Sequence, residues 1–138
     1  MSKTTDCTLS DPFYEQVKSG EKKYEIRQFI GKWHDARAGD TLRVTRRDHP
    51  DQTFERRISA IRTYSTEDPL RDAIAELGIK KCLPHLDTVE EGVDLYLNPE
   101  GAIRWKPEDV HNNGVVALEL MDEQNFRDML ISIVHSER

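Results

Sequence analysis

Apolar residues recur along this chain at spacings of two or of three to four, and glycine or proline marks most of the changes between them. Residues 5–10 read as a short strand. Asp11-Pro12 then has the form of a helix start, an N-cap followed by proline at the first helical position. Phe13, Tyr14 and Val17 give that helix its apolar stripe, and Gly20 stands where a C′ glycine closes it. Over 23–29 the pattern alternates, with Tyr24 and Ile26 on one face and Lys23, Glu25 and Arg27 on the other, as in a half-buried strand. Residues 30–37 fit no single period. After a Gly39-Asp40 turn, 41–47 places Leu42 and Val44 on one face. Asp48-His49-Pro50-Asp51 is a turn, and 53–64 alternates again through Phe54, Ile58 and Ile61 with one slip of phase, the mark of a bulge. The two strands form a hairpin.

Further along, Ser65 or Thr66 caps a helix carrying Leu70, Ile74 and Leu77, which Gly78 ends. Thr88-Val89-Glu90-Glu91 is a capping box opening a short helix to about Leu97. Residues 98–113, with Pro99, Gly101 and Pro107, read as a loop. The apolar run over 115–120 is a strand of the sheet interior. Residues 122–134 form a terminal helix with Phe126, Met129, Leu130 and Ile133 along one side. Strands and helices mix without regular alternation, so the fold class is α+β, and a small β-barrel of mixed, mainly antiparallel strands with flanking helices would also remove the strand edges.

Composition narrows the picture. A chain of 138 residues suits one domain whose single core needs no metal or disulfide. Cys7 and Cys82 form no C-x-x-C pair and read as buried thiols of a reducing compartment. No apolar run approaches the roughly 20 residues of a membrane span, and the first residues lack a signal-peptide core, so an intracellular, cytoplasmic protein is expected. The net charge is −6, yet residues 1–62 carry 13 basic against 10 acidic side chains while the remainder carries 7 against 16. A site for a polyanion therefore belongs to the N-terminal half, where a local patch acts over about 8–10 Å.

The chemistry concentrates in Gly20-Glu21-Lys22-Lys23-Tyr24-Glu25-Ile26-Arg27. Glu25 and Arg27 share a strand face and would offer one ligand an acceptor and a planar five-donor fork. Gly20 permits a tight turn, so Lys22 would swing toward the same cleft as a phosphate contact, or as a nucleophile or base. The plain alternative is a solvated charged strand. Arg43, Arg46 and Arg57, with Arg47, Arg56 and Arg62, crowd the hairpin and form either a phosphate-tracking ribbon or an ordinary solvated surface among Asp48, Asp51 and Glu55. Trp33, His34 and Trp105 are candidates for stacking on a base, Trp33 the first of them, with burial against the barrel as the alternative. The five histidines have no zinc-ligand spacing, and no metal or cofactor is expected.

Residues 20–27 match G-x-K-x-x-E-x-R, the pattern of the ASCH superfamily. Around it, 13–27 resembles that family's first helix and strand, Ala38-Gly39-Asp40-Thr41-Leu42-Arg43-Val44 its GD-x-L strand, and 114–120 its closing strand. Leu83-Pro84, 88–93 and Tyr96 resemble a segment of its longer members. The likeness spans about residues 7–121, with an ASCH domain over 1–122 and a C-terminal helix over 123–138. It implies a PUA-like barrel related to RNA-recognition and RNA-modification domains. On that resemblance the expected function is an RNA- or nucleotide-binding module using Lys22, Glu25, Arg27, Trp33, Arg43, Arg46 and Arg57. Two alternatives stand beside it. One is a hydrolase, a ribonuclease or an N4-acetylcytidine amidohydrolase, with Lys22 and Glu25 catalytic; Glu25 stands where those amidohydrolases carry a threonine, and their later glutamate has no secure counterpart. The other is a protein-interaction domain of a transcription or translation assembly. Neither the RNA nor the oligomeric state follows from the sequence.

Overall fold

Two alternations of buried and exposed residues, in β1 (Thr4–Leu9) and β3 (Thr41–Arg46), turn Cys7, Leu9, Leu42 and Val44 to one side. The computed structural model describes residues 2–121, and the helix expected over 122–134 lies outside them. The remaining strands are β2 (Tyr24–Gln28), β4 (His49–Tyr64) and β5 (Val115–Met121), and the helices are α1 (Phe13–Ser19), α2 (Pro69–Leu77), α3 (Ile79–Cys82), α4 (Val89–Leu97) and α5 (Pro107–Asn113). A single 3₁₀ turn covers Gly31–His34. The described residues form an α+β fold, a mixed sheet in the order β1-β3-β4-β5-β2 curled into a half-barrel. Among the described residues only the β1–β3 pair is parallel.

The curl follows from β4. Its first half pairs with β3 up to Arg57, and its second half pairs with β5 from Arg57 onward. The expected bulge lies at this handover, where the register shifts between Ile58 and Ala60 and leaves Ser59 over; its hydroxyl donates to the Glu119 carbonyl at 3.2 Å. An extra residue increases local twist and bends the strand.

β5 has hydrophobic residues on both faces because both are covered. Val116, Leu118 and Leu120 point into the half-barrel, among Leu42, Val44, Ile58 and the α1 residues Tyr14 and Val17. Val115 and Ala117 face outward with Tyr24 and Ile26, under a layer of helices that contributes Leu70, Ile74, Leu83, Tyr96 and Val110. Burying each large aliphatic side chain stabilises the fold by about 1.5–3 kcal/mol.

Several local features differ from the sequence reading. α1 begins at Phe13 with Pro12 in the cap position, and the Asp11 carboxylate takes the Arg46 guanidinium instead of a helix N–H. The hairpin turn is Arg47-Asp48, with Asp48 at φ 68°, so His49 and Pro50 already belong to β4. α2 begins at Pro69 after Asp68, not at Ser65 or Thr66. α5 interrupts the stretch read as loop, with Pro107 at its start. The Thr88–Glu91 capping box and the left-handed C-cap at Gly20, φ 86°, are as expected.

Two tests follow from this frame. Gly114 adopts φ 73°, ψ −177°, and a Cβ there would lie 2.6 Å from the Tyr64 carbonyl oxygen. Gly114→Ala should therefore cost more than the roughly 1–3 kcal/mol of a strained backbone conformation alone, read from the urea midpoint. Asp40 accepts the Lys3 and Arg37 backbone N–H groups at 3.0 and 2.9 Å and pairs with the Lys3 ammonium at 3.0 Å. Burial pushes its pKa upward, and these donors overcome that and hold it below 3.8. The resulting stability is present above the ordinary carboxylate range and is lost as pH falls through the folded-state pKa. Asp40→Asn should thus be less stable than wild type at pH 7, with the difference shrinking in urea titrations carried down to pH 3.

Candidate functional site

Among the described residues β1 and β2 are the two edges of the sheet, and a cavity of about 440 Å³ lies where they face each other. Thr8, Leu9 and Ser10 line it from the β1 side and Glu25, Ile26 and Arg27 from the β2 side. Arg47 closes it from the hairpin turn and Phe13 from α1. Tyr96, Ala102, Ile103 and Trp105 cover it from α4 and the loop that follows. The volume falls within the range of small-molecule sites.

The period-two rule puts Glu25 and Arg27 on the inner face of β2, opposite Leu118 and Val116 of β5. The alternative of a solvated charged face does not hold for Glu25, which is buried, with only 5% of its side chain exposed. Its carboxylate accepts from Arg27 Nε at 2.9 Å and from Nη2 at 2.8 Å, and Lys22 Nζ lies 3.6 Å away. Arg27 is one-quarter exposed, and its guanidinium carbon stands 5.0 Å from the centre of the Trp33 ring. One edge of the fork is thus held by Glu25 and its face by Trp33. Nη1 has no hydrogen-bond partner among the described residues, and Arg27 is one of the residues that line the cavity.

Lys22 does not swing into the cleft. Its side chain is 1% exposed, and its ammonium donates to the Cys82 carbonyl behind Glu25. Burial pushes its pKa below 10.5, with Glu25 and Cys82 acting in the opposite sense. Nearby, His85 Nδ1 lies 3.0 Å from the Gln16 amide nitrogen, and burial followed by the Lys22 and Lys80 charges lowers its pKa. Burial raises the Cys7 thiol to about 12 and the Cys82 thiol to about 11, so neither is a thiolate at neutral pH.

The aromatic expectation is inverted. Trp33 is buried in the inner core under Arg27 and Lys32, where no base can reach its face. Trp105 is half-buried on the cavity, its ring centre 4.7 Å from that of Tyr96 at an interplanar angle of 33°, and its main-chain N–H donates to the Tyr96 carbonyl at 2.8 Å. His34 packs on Phe29.

The hairpin arginines divide. Arg43 pairs with Asp6 at 2.6 Å, Arg46 with Asp11 and Glu15, and Arg57 donates to the Gly39 carbonyl at 2.8 Å; none of the three lines the cavity. They join β3 and β4 to neighbouring segments instead of forming a ribbon at the cleft. Arg47 does reach the cavity, and its exposed side chain makes no ion pair among the described residues. Thr8, Ser10, Phe13 and Ile103 are absent from the site expected from sequence, because only the meeting of two sheet edges brings them together.

Removing the Glu25 charge should leave Lys22 and Arg27 uncompensated. We expect Glu25→Gln to lose about 3–5 kcal/mol by chemical denaturation, the cost of breaking a buried pair from one side. Adding Lys22→Met to the same chain should recover part of that loss; an additive double mutant would mean the two groups are not coupled.

No family model and no curated protein matches the chain. Solved structures do. The crystal structure of hypothetical protein PH0355 is 26% identical over 86% of this chain and 96% of its own, with a TM-score of 0.69. The solution structure of protein PF0455 from Pyrococcus furiosus is 25% identical over 85% of this chain and 94% of its own, with a TM-score of 0.62. Each likeness runs almost the whole length of the neighbour, so this chain has the same small, barrel-like α+β fold.

Proposed function

We propose that the cleft between β1 and β2 binds a nucleotide, free or as an exposed residue of single-stranded RNA. The observation that carries this reading is Arg27, a cavity-lining guanidinium fixed on one edge by Glu25 and on one face by Trp33, with Nη1 unpartnered among the described residues. Such a fork is oriented before any ligand arrives, and guanidinium geometry suits phosphate oxygens. Arg47 adds a second cation. With one carboxylate against Arg27, Arg47 and the buried Lys22, the site favours an anion.

The other wall is aromatic. Trp105, half-buried on the cavity and tilted against Tyr96, offers an aromatic face, and base–aromatic stacking contributes about 1–3 kcal/mol per base. An anionic group and a flat ring in one ligand describe a nucleotide. The resemblance of residues 20–27 to the ASCH motif supports the same reading. The hydrolase alternative asks Lys22 to reach a substrate, and its ammonium lies behind Glu25 on a main-chain carbonyl, so binding is the reading favoured here.

Calorimetry with a short single-stranded RNA and with the four nucleoside 5′-monophosphates tests this at low and at physiological salt. We expect binding that weakens with salt, and a loss of roughly tenfold or more in Arg27→Ala, the scale of one charge-assisted hydrogen bond. Arg47→Ala should reduce the salt dependence without changing the urea midpoint. Absence of binding to every one of these ligands, or binding indifferent to salt and to both substitutions, overturns the reading.

A further inference from the structure

The two strands that border the cleft are sheet edges, and the ladder on their paired sides dictates where their other main-chain groups point. β2 keeps one register with β5 from Tyr24–Glu119 to Gln28–Val115. Leu120 N–H donates to the Lys23 carbonyl and Phe29 N–H to the Gly114 carbonyl, at the two ends of that register. Lys23, Glu25, Arg27 and Phe29 are therefore the hydrogen-bonded positions, and the N–H and C=O of Ile26 point away from β5 toward the gap. The same logic applies to β1. Thr41 N–H donates to the Lys3 carbonyl and Arg47 N–H to the Leu9 carbonyl, so odd-numbered residues of β1 serve β3. Thr4, Asp6 and Thr8 present their main chain to the gap. At Asp6 this is seen directly, because the Lys32 ammonium takes that carbonyl.

The gap thus contains one N–H and one C=O from Thr8 on one side and the same pair from Ile26 on the other, both residues lining the cavity. An inserted peptide strand would need a longer run of free groups. Lys32 occupies the Asp6 carbonyl, Ile30 N–H occupies the Gln28 carbonyl at 2.9 Å, and of the outward-facing positions on the two edges Thr8 and Ile26 line the cavity. A planar heterocycle with donors and acceptors around its rim fits that arrangement, and a nucleobase has them.

We propose that the base of the bound nucleotide is read by the main chain, its rim hydrogen-bonded to the Thr8 and Ile26 peptide groups in the place of a missing strand. This rests on the nucleotide-binding reading above and adds to it that base discrimination resides in the backbone of the sheet edges. The Arg27 and Arg47 cations then supply affinity common to all bases.

Thr8→Pro isolates the claim. It deletes the Thr8 N–H, which serves no ladder bond, and proline is accepted at outward-facing edge positions. The four nucleoside 5′-monophosphates and ribose 5-phosphate are titrated into wild type and variant. We expect wild type to prefer one base. The variant should lose roughly tenfold on that base while its affinity for ribose 5-phosphate stays unchanged. Amide spectra of the wild type give a readout that needs no variant: Thr8 and Ile26 amide protons should move downfield on adding the preferred nucleotide, more than those of Cys7 and Arg27, which stay in their ladders. Mononucleotides that bind without base preference, a preference unchanged in a folded Thr8→Pro, or unmoved Thr8 and Ile26 amides overturn the inference and leave nucleotide binding standing. Changes running along all of 4–8 and 24–28 would indicate an inserted strand and overturn it too. No binding of any mononucleotide or of RNA overturns both.

Discussion

Glu25 occupies an inward position of β2 that the neighbouring strands fill with aliphatic residues, and much of the molecule's geometry hangs on how its charge is balanced. A carboxylate this far from water is tolerable only with close cations and hydrogen bonds. Arg27 supplies two donors from the same strand, and Lys22 approaches from the turn before it. Lys22 in turn reaches the Cys82 carbonyl, and the adjacent Lys23 N–H reaches the Lys81 carbonyl at 2.8 Å. The charged cluster therefore ties an edge of the half-barrel to the helical layer. The inner core under β5 and the outer core under the helices meet there, and the cavity opens at the same place.

That cluster also explains how a chain of net charge −6 can hold a cationic pocket. What matters is which cations have been neutralised, not how many exist. The hairpin arginines are numerous, but Asp6, Asp11 and Glu15 stand within reach of Arg43 and Arg46. Exposed pairs of this kind contribute about 0–1 kcal/mol each, so their main effect is to remove positive field from the surface. Arg27 is different. Its partner carboxylate is shared with Lys22, which leaves the group with a surplus of positive charge at the cavity wall.

Elements whose formation is local were legible in the sequence. The alternation in β2 and β3, the glycine after α1, the capping box of α4 and the phase slip in β4 each express a rule that acts within a few residues. The apolar run of β5 correctly signalled a strand covered on both faces. Misreadings arose where a distant partner decides the outcome. Asp11 pairs with Arg46, and the cap position of α1 falls on Pro12. Residues 107–113 look like loop by composition, and become α5 because Val110 packs under the helical layer. The same division runs through the site. Glu25 and Arg27 were found from their spacing on one strand. The exchange of roles between Trp33 and Trp105, and the burial of Lys22, depend on how the strand edges approach one another. Tyr96 and Trp105 carried a faint signal as aromatics flanking a loop with Pro99 and Gly101.

An open pair of sheet edges is ordinarily a hazard, since exposed N–H and C=O groups template pairing with another chain. Here the exposure is limited from several directions. The Lys32 ammonium covers Asp6, the chain folds back on Gln28, and α4 with its following loop roofs the stretch between. A second strand would need a longer run of open groups at the cavity than Thr8 and Ile26 supply. Yet the Thr8 and Ile26 main-chain groups have no partner among the described residues, and unpaired main-chain groups away from bulk water cost free energy comparable to a lost hydrogen bond. A ligand small enough to enter and polar enough around its rim recovers that cost on binding, with walls already held in place by the Glu25 cluster and by the Tyr96–Trp105 pair. The features that keep the edge from pairing with another chain are thus the ones that leave it suited to a single flat ring.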